Sequence, residues 1–405
     1  MRRPMRPRPA PEDMLTDALR LIRTDGVGPL TYRRLLARYA THEAALDALP
    51  RLAREGGRAT PPAIPSRAAV EQERAALDRL GGRLLLLGTP DYPPLLALLA
   101  DAPPILACLG DPGVLAGRAV ALVGGRNATA NGERIAETLA AELAQAGITV
   151  VSGLARGIDA AVHAGALAAG RTVAVVAGGL DCPYPPEHAD LQRRIAEAGA
   201  VLAESPLGTT PQARHFPRRN RIIAGLALGV VVVEAALRSG SLITARLAQE
   251  AGREVFAVPG SPLDPRARGS NDLIRQGAQI TETAADILDN LPDHPDREGL
   301  ARAPLFARPR VPAAPAGPVP DPADPREVPP GDPPGDPPGD PPPEILADAR
   351  SRLVALLGPA PTAVDDLLRR CQLPPAAALA ALLELEIAGR IETLPGQRVA
   401  LLACP

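Results

Sequence analysis

Six short runs rich in Val, Ile, Leu and Ala recur between residues 119 and 260, and they restrict the possible folds more than any other feature of the chain. They are AVALVGG (119–125), ITVVSG (148–153), TVAVVAGG (172–179), AVLAESP (200–206), LGVVVVEA (228–235) and EVFAVPG (254–260). Each is apolar almost throughout, as a strand covered on both faces must be, and does not alternate between apolar and polar. Helical spacing fills the gaps: in GERIAETLAAELAQAG, Ile135, Ala136, Leu139, Ala140 and Leu143 form one stripe suited to packing on a sheet. This alternation predicts an α/β fold with a doubly wound, mostly parallel sheet, whose ligand crevice lies at the carboxyl ends of the strands.

At 405 residues the chain is long enough for more than one core. The reading divides it into a helical N-terminal domain at 1–85, the sheet-bearing core at 86–291, a linker at 292–343 and a small domain at 344–405. The linker ends in PPGDPPGDPPGDPPP, a composition that buries too little apolar surface to order itself and favours an extended polyproline form. No run of 18 apolar residues appears, and the basic start MRRPMRPRPAPED is not followed by an apolar segment and cleavage site, so no membrane association and a cytoplasmic location are expected. The four cysteines lie far apart, without the spacing of a disulfide framework or a metal site, and are expected to be free thiols. The net charge of −2 conveys little about partners, because a sum over the chain hides local clusters. All 44 basic residues are arginine, whose planar guanidinium grips phosphate through two hydrogen bonds and stacks on bases.

The loops after the strands carry glycine with small polar or arginine neighbours: GGRNATANG (124–132), SGLARGID (152–159), GGLDCPYPP (178–186) and RSGSLITA (238–245). A helix start after a glycine turn offers free N–H groups and a positive dipole end to an anion. Candidate anion-binding residues are therefore Gly125, Arg126, Asn127, Ser152, Gly153, Arg156, Ser239, Gly240, Ser241 and Thr244. The first loop is not GxGxxG, and no acidic residue ends the next strand to hold a ribose hydroxyl, which disfavours a nicotinamide dinucleotide. With no lysine in the chain a standard P-loop is excluded, and no cofactor is expected. Asp159 and His163 stand one helical turn apart. No third residue has the spacing of a metal ligand, and capping with local hydrogen bonding accounts for the pair.

The segment RHFPRRNRIIAG (214–225) falls between the fourth and fifth strands and should stand over the same edge as the glycine loops. Its arginines, Arg214, Arg218, Arg219 and Arg221, with Asn220, then join a row of phosphate donors. Phe216 among them offers a face on which an unpaired base can stack, the combination that single strands favour. The competing reading makes Phe216 a core plug and the arginines surface ion pairs.

These blocks carry a resemblance. DYPPLLALLADAPPILACLGD, VALVGGRNATANG, VVSGLARGIDAAVHAGAL, TVAVVAGGLDCPYPP, HFPRRNRIIAGL, VVVEAALRSGSLITARLAQEAGREVFAVPG and GSNDLIRQGA stand in the order and spacing of the DNA processing protein A family, also called Smf, over residues 86–290. The resemblance implies a Rossmann-like core, a cytosolic non-enzymatic single-stranded DNA binder acting in natural transformation, a homodimer, and loading of the RecA recombinase. It implies a DNA pocket built from Arg126, Ser152, Gly153, Arg214, Phe216, Arg218, Arg219, Asn220, Arg221, Ser239, Gly240, Ser241 and Thr244, and dimer contacts around Leu273, Ile274 and Ile280. The family commonly has Thr or Ser where this chain has Gly125, and any lysine contact must be replaced by arginine or lost. DGVGPLTYRRLLARY resembles the helical module, SAM-like or helix-hairpin-helix, that precedes the core in many members. Its GVG hairpin, with Arg33 and Arg34 nearby, either donates N–H groups to a phosphate or is a structural turn.

Residues 345–357, 362–370 and 374–388 read as helices followed by RIETLPGQRVALL as a two-stranded wing, which resembles a winged helix. Its third helix carries only Glu384 and Glu386 where a DNA reader needs Arg, Asn or Gln, so a sequence-reading role is not expected. The competing function is a Rossmann-like phosphoribohydrolase acting on nucleotides, since EAALRSGSLITARLAQEAG loosely resembles the PGGxGTxxE segment of such enzymes. The PGG and the matching glutamate are missing, which leaves Glu234 as the only candidate acid.

Overall fold

A computed structural model describes residues 11–170, 172–292, 342–394 and 397–402. The linker expected at 292–343 lies outside these residues except at its ends. Four helices open the chain, α1 (Pro11–Ile22), α2 (Pro29–Tyr39), α3 (His42–Glu55) and α4 (Arg67–Arg79), followed by β1 (Gly82–Leu86), the short α5 (Pro94–Ala97) and β2 (Ile105–Gly110). The alternation predicted from sequence then begins with β3 (Ala119–Val123), α6 (Ala130–Gln145), β4 (Thr149–Ser152), α7 (Ile158–Leu167) and β5 (Thr172–Val176). It continues through α8 (Ala189–Ala198), β6 (Ala200–Ala203), α9 (His215–Leu226), β7 (Gly229–Val232), α10 (Gly240–Glu250) and β8 (Glu254–Ala257). The pattern closes with α11 (Arg268–Arg275), β9 (Gln279–Ile280) and α12 (Ala284–Leu288). After the linker come α13 (Pro343–Leu356), β10 (Thr362–Ala363), α14 (Val364–Cys371), α15 (Pro375–Ile387), β11 (Ile391–Leu394) and β12 (Arg398–Leu401).

All six apolar runs are strands, β3 to β8, and every residue of β3, β4, β5, β6 and β7 is buried. They form part of a nine-stranded sheet in the order β1-β2-β6-β5-β4-β3-β7-β8-β9. From β6 to β9 neighbours run parallel, whereas β1 pairs β2 and β2 pairs β6 antiparallel. The sheet is therefore mixed. The sequence reading missed β1, β2 and β9: β1 is half-exposed at one edge and β9 has only two residues at the other, so neither shows the continuous apolar run of a central strand. Helix α6 buries Ala136, Leu139, Ala140 and Leu143 as expected, but Ile135 stays 36% exposed at the margin of that stripe.

The chain divides into two compact units, one drawn from Met1–Tyr32 and Pro62–Arg297, the other from Arg33–Pro61 and Glu298–Pro405. The first holds the nine-stranded sheet with α1 and α4, which are tied by a two-pronged Arg23–Glu73 ion pair (Nη2 to Oε1, 2.8 Å; Nε to Oε1, 3.2 Å). In the second, α13, α14 and α15 pack around Leu353, Leu367, Leu382 and Val399, and β10, β12 and β11 form a three-stranded sheet, one strand more than the sequence suggested. This is a winged helix. Helix α3 packs on α15 in the same unit, and Gly56 lets it approach: a Cβ there would lie 2.0 Å from the Glu384 carbonyl oxygen. Glu384 is itself fully buried, its carboxylate accepting from Arg350 Nη1 at 2.5 Å. No helix among the described residues is long and apolar enough to cross a membrane.

Candidate nucleic-acid interface

Strand order reverses around β3, because the chain proceeds outward through β4, β5 and β6 before returning to place β7 on the other side. Loops at the carboxyl ends of strands on either side of such a point turn away from each other and open a crevice. A cavity of about 620 Å³ occupies this position. Arg126 borders it from the loop after β3, Asp159 from the start of α7, and Phe216, Arg219 and Asn220 from α9. Ser239, Gly240, Ser241 and Thr244, at the start of α10, close the remaining side.

Glycine geometry makes the loops possible. Gly157 has φ +71°, and a Cβ on it would lie 2.6 Å from the Gly125 carbonyl oxygen, so the turn that starts α7 can come this close only with glycine. Leu154, beside it, also has positive φ (58°), a strained conformation for a branched residue, held by its full burial. The start of α6 is already satisfied. Buried Glu234 accepts from Thr129 N at 3.1 Å and from Thr129 Oγ1 at 2.6 Å, and the Glu234 carbonyl accepts from Gly125 N at 2.7 Å. At α10, Ser239 Oγ caps Ser241 N at 3.4 Å and lies 2.7 Å from Ser241 Oγ, while Asn220 Nδ2 donates to Gly240 O at 3.3 Å.

Arg219 is the buried cation of the site, 6% exposed. Its Nη1 donates to Gly153 O at 2.5 Å and to Val175 O at 2.6 Å, so the guanidinium bridges the ends of β4 and β5. Only glycine leaves room for it at 153, where a Cβ would stand 2.1 Å from that nitrogen. Burial lowers its pKa to about 10, with the Asp159 carboxylate opposing and Arg126 reinforcing, and it remains a cation at neutral pH. Asp159 is pushed up by burial and held back by Arg219, by the Ala155 N–H and by Ser152. His163, also buried, shares a 2.8 Å hydrogen bond through Nδ1 with Thr172 Oγ1, and burial, then Arg219 and His188, lower its pKa to about 3. Both residues are thus held by local hydrogen bonds.

Phe216 is half-buried at the cavity mouth. Arg126 Cζ lies 4.7 Å and Arg219 Cζ 5.9 Å from its ring centroid, and the Tyr184 ring meets it edge-on at 5.6 Å and 62°. Among the described residues, the side chain of exposed Arg126 is held only by this cation–π contact, an interaction of about 0.5–1 kcal/mol at exposed sites. A flat, electron-rich ligand can therefore displace it at small cost and find one ring and two cations around it.

Residues 83–292, just over half of the chain, match the family described as DNA recombination-mediator protein A. The chain belongs to that family. Residues 12–76 match its DprA-like N-terminal HHH domain and 337–397 the DprA winged helix domain. Protein Smf of Escherichia coli K12 is 38% identical over 337 residues, covering 83% of this chain and 82% of that one. The DNA processing protein DprA of Bacillus subtilis is 45% identical over 221 residues, 54% of this chain and 74% of that one. The X-ray structure of DNA processing protein A from Streptococcus pneumoniae superposes with a TM-score of 0.58 at 34% identity, over 69% of this chain and 99% of that one.

Within this chain, several residues expected at the anion are engaged elsewhere. Ser152, expected as a hydroxyl donor, is fully buried and donates to Leu122 O at 2.7 Å, because it is still part of β4. Arg221, expected among the phosphate donors, is buried on the far face of α9, donating to Glu204 Oε1 at 2.5 Å and to Asp101 O. Arg156 stands outside the cavity in an exposed pair with Glu187. Gly125 and Asn127 flank Arg126 without lining the cavity, and Arg214 is exposed beside His215. Arg34, read as a neighbour of the GVG hairpin, donates instead to Glu386 Oε2 at 3.0 Å in the winged-helix unit. Of the dimer candidates, Leu273 is 7% exposed within the core and Ile274 packs against it, which leaves Ile280, 57% exposed on β9. Leu273 can line an interface only if the core opens. Tyr184 and Pro211 line the cavity although the sequence did not single them out; the CPYPP stretch was the available signal for Tyr184.

Proposed function

We propose that this protein is a single-stranded DNA-binding member of its family that acts in natural transformation, protecting incoming single strands and loading the RecA recombinase onto them. It acts in the cytoplasm as a homodimer, holds the strand through its backbone and stacked bases, and carries out no chemistry. The observation that carries the reading is Phe216 between Arg126 and Arg219 in an open cavity at the point where strand order reverses. An aromatic face with flanking guanidinium groups suits an unstacked base and its phosphate, and every base has such a face, so no sequence preference is expected. The nucleotide-cleaving alternative finds less support. Its candidate acid, Glu234, is committed to Thr129 and lies outside the cavity lining.

The test is fluorescence anisotropy with labelled oligothymidylate and a matching duplex. Phe216→Ala should weaken single-strand binding by about 1–3 kcal/mol, the range for one stacked base. Arg126→Ala should in addition lower the dependence of log K on log salt by about 0.7, the value for one phosphate on a single strand. Unchanged single-strand affinity in both variants, or nucleotide cleavage that Glu234→Gln abolishes, would refute the reading.

A further inference from the structure

Helix α9 stands between two hollows. Phe216, Asn220 and Arg219 face the cavity already described, whereas His215, Arg218 and Arg219 line a second one of about 210 Å³. Its other walls are Ser205 and Thr209, from the chain after β6, and Val27, Gly28 and Pro29, the hairpin between α1 and α2. All of these belong to the sheet-bearing unit.

The two hollows differ in chemistry. No Phe, Tyr or Trp lines the second, where the imidazole of His215 offers a smaller stacking surface than the Phe216 ring. Its charge is positive on balance: Glu204 in its wall is neutralised by Arg221 at 2.5 Å and Arg23 by Glu73, while Arg218 is exposed and forms no ion pair or hydrogen bond among the described residues. Arg219 contributes to both hollows, so one cation faces two adjacent ligand positions. On the hairpin side, the space in front of Gly28 is open, with nothing within 4 Å of where a Cβ would stand.

We infer that the second hollow takes the phosphodiester next to the base bound over Phe216, so that a single strand crosses α9 above Arg219 and is gripped by Arg218 against the α1–α2 hairpin. This rests on the proposed single-strand function and extends it: the N-terminal hairpin becomes part of the DNA site, with its polynucleotide partner recognised by backbone charge.

The experiment uses the full chain and labelled oligothymidylates in which one uncharged methylphosphonate linkage is moved along the strand. For the wild type, a linkage facing Arg218, in addition to the one facing Arg126, should weaken binding roughly tenfold, as expected for one charge-assisted phosphate contact. In Arg218→Ala that linkage should lose its effect while the others keep theirs, and the salt slope should fall by about 0.7. Gly28→Leu occupies the hollow from the hairpin while leaving the Arg218 charge in the chain and should produce the same loss. If Arg218→Ala and Gly28→Leu both keep wild-type affinity and the wild-type pattern of sensitive linkages, while Phe216→Ala is impaired, the second hollow is no DNA subsite and the base site stands. If Phe216→Ala also binds as the wild type does, both proposals fall.

Discussion

Arg219 carries a full charge in a place where an unpaired charge would be expensive, and two backbone carbonyls together with the field of the Asp159 carboxylate make it tolerable. Because those acceptors are fixed in the sheet, the guanidinium keeps its position and its field toward the cavity whether or not a ligand is present. His163, beneath the same loops, responds to the same surroundings by staying neutral. Its folded pKa, about 3, lies below the usual 6.5, so between these values the unfolded chain binds a proton that the native protein refuses. Stability contributed by His163 is thus complete above about pH 6.5 and is lost as pH falls toward 3. Asp159, pushed up by burial, acts in the opposite sense in acid, so the informative quantity is the difference between wild type and His163→Asn. Urea unfolding at a series of pH values should show that gap changing across the window, with the variant less sensitive to acid; parallel curves would contradict the assignment.

At the scale of elements, α9 shows what a charge-rich string leaves open. Successive residues on a helix point about 100° apart, so Arg219 turns away from Arg218 and Arg221, which stand three apart on one side and differ in burial and partner. One reaches the second hollow, one the sheet ends and one the Glu204 side. Arg221→Ala should therefore leave the salt dependence of single-strand binding unchanged while lowering stability by about 1–3 kcal/mol through the acceptors it strands. A salt slope reduced as in Arg126→Ala would return Arg221 to the DNA. The strands, by contrast, were legible from composition, because a central parallel strand must be apolar on both faces. The edges were not: β1 and β9 need only one covered side, and their pairing is set by neighbours distant in the chain.

For the whole molecule, the proposed dimer needs a surface on which two copies can meet. Edge strand β9 presents unpaired backbone groups and the exposed Ile280, a natural place for a second chain to add. Ile280→Arg should convert the proposed dimer into a monomer in light scattering, whereas Leu273→Arg would place a charge in the core and unfold the protein instead. A dimer that survives Ile280→Arg would move the interface elsewhere. Alternating apolar runs and glycine loops, local properties of the chain, determined by themselves the doubly wound core, the edge proposed for the ligand and the residue types gathered there. Which arginines remain free to meet a phosphate was decided only by the tertiary structure, because it depends on carbonyls and carboxylates brought from distant segments: Gly153 and Val175 for Arg219, Glu204 for Arg221, Glu386 for Arg34.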